Sequence, residues 1–318
     1  MIYNYTKIGA DVNVNTLSDF KMVPEQEISI DGHSYNVKLK REVVRPPDAP
    51  RLVIVAYQPN KTAQDIVHVC LQSIQRYTPE DHELWVVDNN SPQSNSEWLL
   101  KWPDINVIFN RTEPIPPNLR GTMARLKGKS KQQEAGSYAN AIALELAARL
   151  IEPQSKYLMT LHMDTMACHT GWLTFLKSKL SDKIGAAGIR LDRGRTPEGV
   201  LHVLGYLVDF QLFRRLGLDF MPELPRYDVG DRVTVALREA GYGVFACHNT
   251  LWEPELIKSI PSSSPMRQFY FDRAFDDNGN VIFLHLGRGI SKSFLKNERG
   301  TTPKEWIRFA ERYLDLKE

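Results

Sequence analysis

Short apolar runs alternate with amphipathic stretches along most of this 318-residue chain, and their order predicts an architecture. Ile28 and Ile30 alternate with polar residues into Asp31-Gly32, and Tyr35, Val37 and Leu39 alternate out again, which predicts a β-hairpin. Arg45-Pro-Pro-Asp-Ala-Pro50 then interrupts the pattern. An apolar strand occupies residues 52–57, and a helix starts near Thr62. Ile66, Val69, Cys70, Ile74 and Tyr77 form its buried stripe, and Thr78-Pro79 ends it. Residues 84–87 form another strand, closing in Asp88-Asn-Asn-Ser91, and residues 107–109 a further one. Short strands separated by helical patterns predict an α/β fold with a mainly parallel central sheet flanked by helices.

Residues 118–133 break this rhythm with a polar run carrying Arg120, Arg125, Lys127, Lys129 and Lys131. The next helix buries Ile142, Ala143, Leu146, Ala147, Leu150 and Ile151 and stops before Pro153. A strand containing Leu158 and Leu161 breaks off at Asp164, and a helix begins near Gly171. Residues 184–189 read as a strand, and the stretch from there to Pro225 is less legible. A helix is expected over 229–240, with Asp228 as its N-cap and Asp231 at N3, ending at Gly241. Residues 249–280 receive no assignment, whereas 281–289 contain a strand that ends at His285. Thr302, Pro303 and Glu305 agree on the start of a final helix as N-cap, N1 and N3.

Composition narrows the function classes. Charged residues are 25% and hydrophobic residues 42%, ordinary for a globular protein. A net charge of +2 argues against nucleic acid as the main partner. No apolar stretch reaches the roughly 20 residues of a membrane helix, and the first residues lack a signal peptide's order of basic then apolar. With three cysteines and no disulfide framework, the expectation is a cytoplasmic protein, free or peripheral to a membrane. A dinucleotide-binding glycine fingerprint, a P-loop, a nucleophile elbow and an H-E-x-x-H motif are all missing. Cys168-His169 and Cys247-His248 are poor zinc pairs, because neighbours in a strand face opposite ways.

Polar groups at strand ends are what remain. Asp88, Asp164 and His285 each follow an apolar strand, and ligands of α/β sheets bind beyond the carboxyl ends of the strands. Asp164 and His285 are the candidate ligands of a Mn²⁺ or Mg²⁺ ion whose shell phosphate oxygens would complete. The basic run and Arg288 offer positive charge to a phosphorylated ligand.

From about residue 51 to 289 the chain resembles a GT-A fold glycosyltransferase of the large family 2 type. The resemblance rests on Val86-Val-Asp-Asn-Asn-Ser91, Gly136-Ser-Tyr-Ala-Asn140 and Leu161-His-Met-Asp-Thr165 with Gly171-Trp-Leu173. Two further segments join them, Gly205-Tyr-Leu-Val-Asp-Phe with Leu216-Gly217, and Tyr227-Asp-Val-Gly-Asp-Arg with Arg238-Glu-Ala-Gly-Tyr242. It implies transfer of a sugar from a nucleotide-sugar donor, expected to be UDP-linked, to a glycan, lipid-linked or small-molecule acceptor, with inversion. Donor contacts are then expected at Tyr57, Asp88, Gly136, Asn140 and Arg288, the metal at Asp164 with His285, and the catalytic base at Asp228.

Two departures stand out. His162 occupies the place of the first acid of the family's D-x-D motif, and Tyr227 replaces the acid that often precedes the base. A sugar-nucleotide-binding pseudoenzyme therefore stays open, as does a sugar-1-phosphate nucleotidyltransferase. The expected organisation is an N-terminal hairpin extension over 1–48 and a transferase domain over 49–290, followed by a C-terminal helix over 291–318. Within the domain a donor half (49–170) precedes an acceptor half (171–290).

Overall fold

The computed structural model describes residues 21–119, 129–190, 198–294 and 300–314. Its strands are β1 (Lys21–Ile30), β2 (His33–Arg41), β3 (Arg51–Ala56), β4 (Glu83–Asn89), β5 (Asn106–Asn110), β6 (Tyr157–His162), β7 (Thr165–Ala167), β8 (Ile184–Arg190), β9 (Leu201–Asp209), β10 (Gly243–Ala246), β11 (His248–Asn249), β12 (Asp272–Phe275) and β13 (Val281–His285). Its helices are α1 (Lys61–Tyr77), α2 (Gln93–Ser96), α3 (Lys129–Leu150), α4 (Trp172–Ser178), α5 (Phe210–Arg215), α6 (Asp231–Glu239), α7 (Pro265–Gln268), α8 (Gly289–Phe294) and α9 (Pro303–Tyr313).

Nine strands form the central sheet in the order β1-β2-β5-β4-β3-β6-β9-β8-β10. β5, β4, β3 and β6 are mutually parallel. β8 and β10 run with them, because β9 opposes both β6 and β8. The fold is thus α/β, with a mostly parallel central sheet flanked by helices. Successive side chains of a strand face opposite sides. Leu52, Ile54, Leu84 and Val86 accordingly join the core beneath α1, whereas Val53, Trp85 and Val87 join the one beneath α3. A second sheet, β11-β12-β13-β7, is antiparallel.

The hairpin turns at Asp31 and Gly32, both in the left-handed region, and β2 pairs with β5 as part of the central sheet. Tyr35, Val37 and Leu39 are buried, as their alternation requires. α1 is capped by Asn60, whose side chain accepts from the Ala63 amide at 3.0 Å. α9 carries the full capping box of Thr302 and Glu305. Among the described residues no helix is long and apolar enough to cross a membrane.

Two expectations need correction. Lys129 and Lys131 belong to α3 rather than to a patternless loop, while Arg120, Arg125 and Lys127 lie outside the described residues. Asp228 is not the N-cap of the helix after it. Gly230, at φ 72°, holds that position and α6 starts at Asp231. A β-carbon on Gly230 would lie 2.4 Å from Val203 Cγ1, so the tight turn itself excludes a side chain and sets the helix back by two residues.

Candidate metal centre

The chain passes from the central sheet to the second sheet between β6 and β7, and Asp164 sits in that two-residue passage. β6 is parallel to β3 and ends at His162, so both residues lie at the carboxyl edge. The turn is tightened by Thr165 Oγ1, which donates to the His162 carbonyl at 2.7 Å. β13 pairs with β7 so that His285 faces Thr165, which brings its imidazole over Asp164. The loop after β13 completes the enclosure. The Leu286 amide donates to the Asp164 carbonyl at 2.9 Å and the Gly289 amide to Asp164 Oδ2 at 2.8 Å. Gly289 approaches so closely that a β-carbon there would lie 2.7 Å from Asp164 Cβ. Gly287 and Arg288, both at positive φ, bend the chain into this contact.

His162, Asp164 and His285 each present a ligand atom, and these atoms lie within 4.8 Å of one another. That is close to the span of donors sharing one ion at about 2.0–2.3 Å. The surroundings orient His285 as a metal ligand requires. His285 Nδ1 lies 3.1 Å from Asp272 Oδ2, and His285 Nε2 faces Asp164 Oδ1 at 3.5 Å. A carboxylate on the far ring nitrogen fixes the tautomer and turns the near nitrogen toward an ion. His162 Nε2 is 3.0 Å from Asn140 Nδ2, so α3 holds the second imidazole. Two imidazoles and a carboxylate, braced from behind, fit a divalent transition ion.

The electrostatics agree with this arrangement. Burial alone would lower the pKa of His285, but Asp164 and Asp272 outweigh it and carry it up to about 10. Burial would raise Asp164, yet the charge and hydrogen bond of His285, with His162 and the Gly289 amide, hold it well below the usual carboxylate range. His162 goes the other way. Burial pushes it down to about 4, opposed by Asp164 and assisted by His285, so it is a neutral imidazole near pH 7. Asp228, on the segment between α5 and α6, opposes the lowering of the His162 pKa more weakly than Asp164 does. His202 of β9 stacks edge-on against His162 at 5.5 Å between ring centroids.

No family model and no curated protein matches the chain. Among solved structures, the chain is similar to three sugar transferases. The galactosyltransferase LgtC, solved with donor and acceptor sugar analogues, is 12% identical at a TM-score of 0.48, covering 82% of this chain and 95% of that one. Mouse xyloside xylosyltransferase 1 is 14% identical at 0.36, over 54% and 69% of the two chains. The catalytic domain of Drosophila β1,4-galactosyltransferase 7 is 11% identical at 0.38, over 82% and 79%.

The remaining residues singled out in the sequence fall in different settings. Tyr57 follows β3 and is 38% exposed, and Gly136 stands on an open face of α3 with nothing within 4 Å of a β-carbon. Asp88 is fully buried, pairing with Arg111 at 3.1 Å and accepting from Gln58 at 3.4 Å. Burial raises its pKa, against Ser91, Arg111, Ser96 and Gln58. Only β3 separates it from His162, two strand spacings or about 10 Å. Asn140 meets His162. Arg288 is exposed on the loop that covers Asp164. Asp228 Oδ1 accepts from the Val229 amide, and its own amide donates to Asp231 Oδ2 at 2.9 Å. The sequence reading missed Asp272 and His202 as members of this cluster. Asp272 could have been found by pairing Asp272-Arg-Ala-Phe275 with the strand before His285, since directly opposite residues of antiparallel strands share a face.

Proposed function

We propose that this protein is a metal-dependent glycosyltransferase of the GT-A type, moving a sugar from a UDP-linked donor to an acceptor hydroxyl with inversion. The observation that carries this reading is the convergence of His162, Asp164 and His285 at the carboxyl edge of the parallel strands. A divalent cation held by these three residues would stabilise the charge that grows on the departing diphosphate. Two imidazoles among the donors favour a transition ion such as Mn²⁺ over Mg²⁺.

Residues 49–170 would serve the donor and 171–290 the acceptor. The nucleotide would lie along Tyr57, the ends of β3 and β4, and the open turn of α3 at Gly136. Asp88, being buried, would act through Arg111, the guanidinium it orients. Arg288 supplies positive charge beside Asp164. Asp228 takes the proton of the acceptor hydroxyl as that oxygen bonds to the anomeric carbon and the bond from carbon to diphosphate breaks.

A panel of nucleotide sugars tests this by thermal shift with and without Mn²⁺. A donor at 100 times its dissociation constant stabilises by about 2.7 kcal/mol. The expected result is a metal-dependent shift with a UDP-sugar and slow hydrolysis of that donor in Mn²⁺. Binding without any turnover identifies a pseudoenzyme instead. No metal-dependent shift from any donor removes the proposal.

A further inference from the structure

The amino-terminal hairpin reaches further than the sheet it joins. Val37 of β2 pairs with Asn110, the last residue of β5, so His33 stands four residues beyond that strand end, about 14 Å at the rise of an antiparallel strand. The turn at Asp31 and Gly32 is therefore a tip that projects past the carboxyl edge. The ends of β5, β4 and β3 lie between this tip and β6, which carries His162. Ile30, Tyr35 and Val37 share one core with Tyr138, Ala141 and Ile142 of α3, so hairpin and helix form a single wall.

Polar groups close this wall into a ring of hydrogen bonds. The Tyr138 hydroxyl donates to Asp31 Oδ2 at 3.0 Å, from helix to hairpin tip. The next carbonyl of α3, that of Ala139, accepts from Asn89 Nδ2 at 2.7 Å, at the end of β4. Asn89 Oδ1 accepts from Asn110 Nδ2 at 2.8 Å, and Asn110 Oδ1 from the Thr112 amide at 2.9 Å. Thr112 Oγ1 then accepts from the Asn36 amide at 2.9 Å, which returns the path to the hairpin. Arg111 lies inside this ring. Its amide donates to the Asn36 carbonyl at 2.8 Å and its guanidinium to Asp88 at 3.1 Å. On α3 the ring borders Gly136, where a β-carbon would meet nothing within 4 Å. Asn89 and Asn110 are buried, so their amides depend on these partners.

We infer that this ring sets the nucleoside end of the donor site, with Tyr138 and Thr112 as positioning residues, an inference that rests on the glycosyltransferase proposal above. A nucleoside diphosphate held by its phosphates at the metal extends across the ends of β3 and β4, and its ribose and base then meet the wall of hairpin and helix. A wall in place for only a fraction of the time lowers the apparent affinity by that fraction. Phosphates without a nucleoside do not reach it.

Calorimetric titration in Mn²⁺ with UDP and with pyrophosphate separates the two ends. Tyr138→Phe and Thr112→Val each remove one hydrogen-bonding oxygen and keep the shape of the side chain. Each should weaken UDP about three- to tenfold, the worth of one hydrogen bond, and leave pyrophosphate unchanged. UDP affinity at the wild-type level in both variants, or pyrophosphate weakened as much as UDP, would overturn the inference. Pyrophosphate bound with Mn²⁺ by the wild type but no tighter binding of UDP would overturn it too. Absence of any Mn²⁺-dependent binding of either probe would strike the glycosyltransferase reading, and this inference with it.

Discussion

At the amino end of the parallel strands, Arg51 opens β3 and Glu83 opens β4, facing each other at 3.2 Å with side-chain exposures of 2% and 0%. At the carboxyl end, Asp164 and His285 are buried almost as deeply, at 7% and 11%. The first pair closes into a clasp with Arg41 and Glu152. Arg51 donates to the carbonyls of Arg45, Pro46 and Ala49, and Glu83 accepts from the Arg45 amide at 2.6 Å and from Trp85 Nε1 at 2.9 Å. The second group is braced from outside, by Asp272, Asn140 and the Gly289 amide, and brings one ligand atom from each of three residues within 4.8 Å of the others. Burial of charge alone thus does not distinguish a site from a clasp. The gathering of ligand atoms does.

Breaking each end should therefore give different losses. The largest expected effect is on chemistry. Asp228→Asn should lower transfer by about 10² to 10⁴-fold while donor affinity stays near wild type. Steady-state kinetics with the donor found in the panel reads this, and an unchanged turnover removes Asp228 as the base. Asparagine keeps the oxygen that accepts from the Val229 amide, so the fold should survive. At the amino end, Glu83→Gln leaves the buried Arg51 guanidinium with the more distant Glu152, at 3.9 Å, as its counter-charge, which should cost up to roughly 3–5 kcal/mol. Urea denaturation measures the loss, and Mn²⁺ affinity of the folded variant should not move. A weakened metal site in that variant would mean that the two ends are coupled.

How much of this was legible in the sequence follows the range of the interactions involved. α1, α9 and the strands from β3 to β6 were readable because their signals are local, such as a stripe of apolar residues or a Thr302–Glu305 cap. Asp164 and His285 stood out as polar ends of apolar strands. They were expected to share an ion on that ground, but the route of their meeting, with β13 reaching Asp164 through β7, a strand of three residues, was not readable. Asp272 was hidden for the same reason, in a region of short strands and 3₁₀ turns held by the buried Arg273 rather than by periodicity. The start of α6 was misread because Asp228 and Asp231 both suit a cap. The left-handed φ of Gly230 and its contact with Val203 decide between registers, and neither is visible in the chain order.

Smaller effects sharpen the contrast. Asp272→Asn should weaken Mn²⁺ binding about 10–100-fold, as loss of an orienting partner does. A cation must displace the proton on His285, so wild-type Mn²⁺ affinity should rise as pH climbs toward 10. In the ion-free protein the raised His285 pKa stabilises the fold fully below pH 6.5, and this contribution is lost as pH rises through 10. Asp272→Asn should flatten that loss, and identical pH profiles by thermal denaturation would contradict the clamp.

His68 gives the opposite sign. It packs on Trp98 at 3.9 Å between ring centroids, and burial pushes its pKa down to about 4, with Lys61 assisting and Asp65 opposing. Its contribution is present above pH 6.5 and lost as pH falls toward 4. His68→Phe should make that acid limb shallower and leave the alkaline limb alone. An acid limb of unchanged steepness would show that other groups govern it.

Calorimetric titration of UDP into the protein, with and without Mn²⁺, tests the central claim most directly when wild type, Asp164→Asn and His285→Ala are run side by side. The account predicts tight binding by the wild type only when Mn²⁺ is present, loss of that metal dependence in Asp164→Asn with the fold retained, and a weaker loss of the same kind in His285→Ala. Unchanged metal-dependent binding in Asp164→Asn would place the cation elsewhere and contradict it.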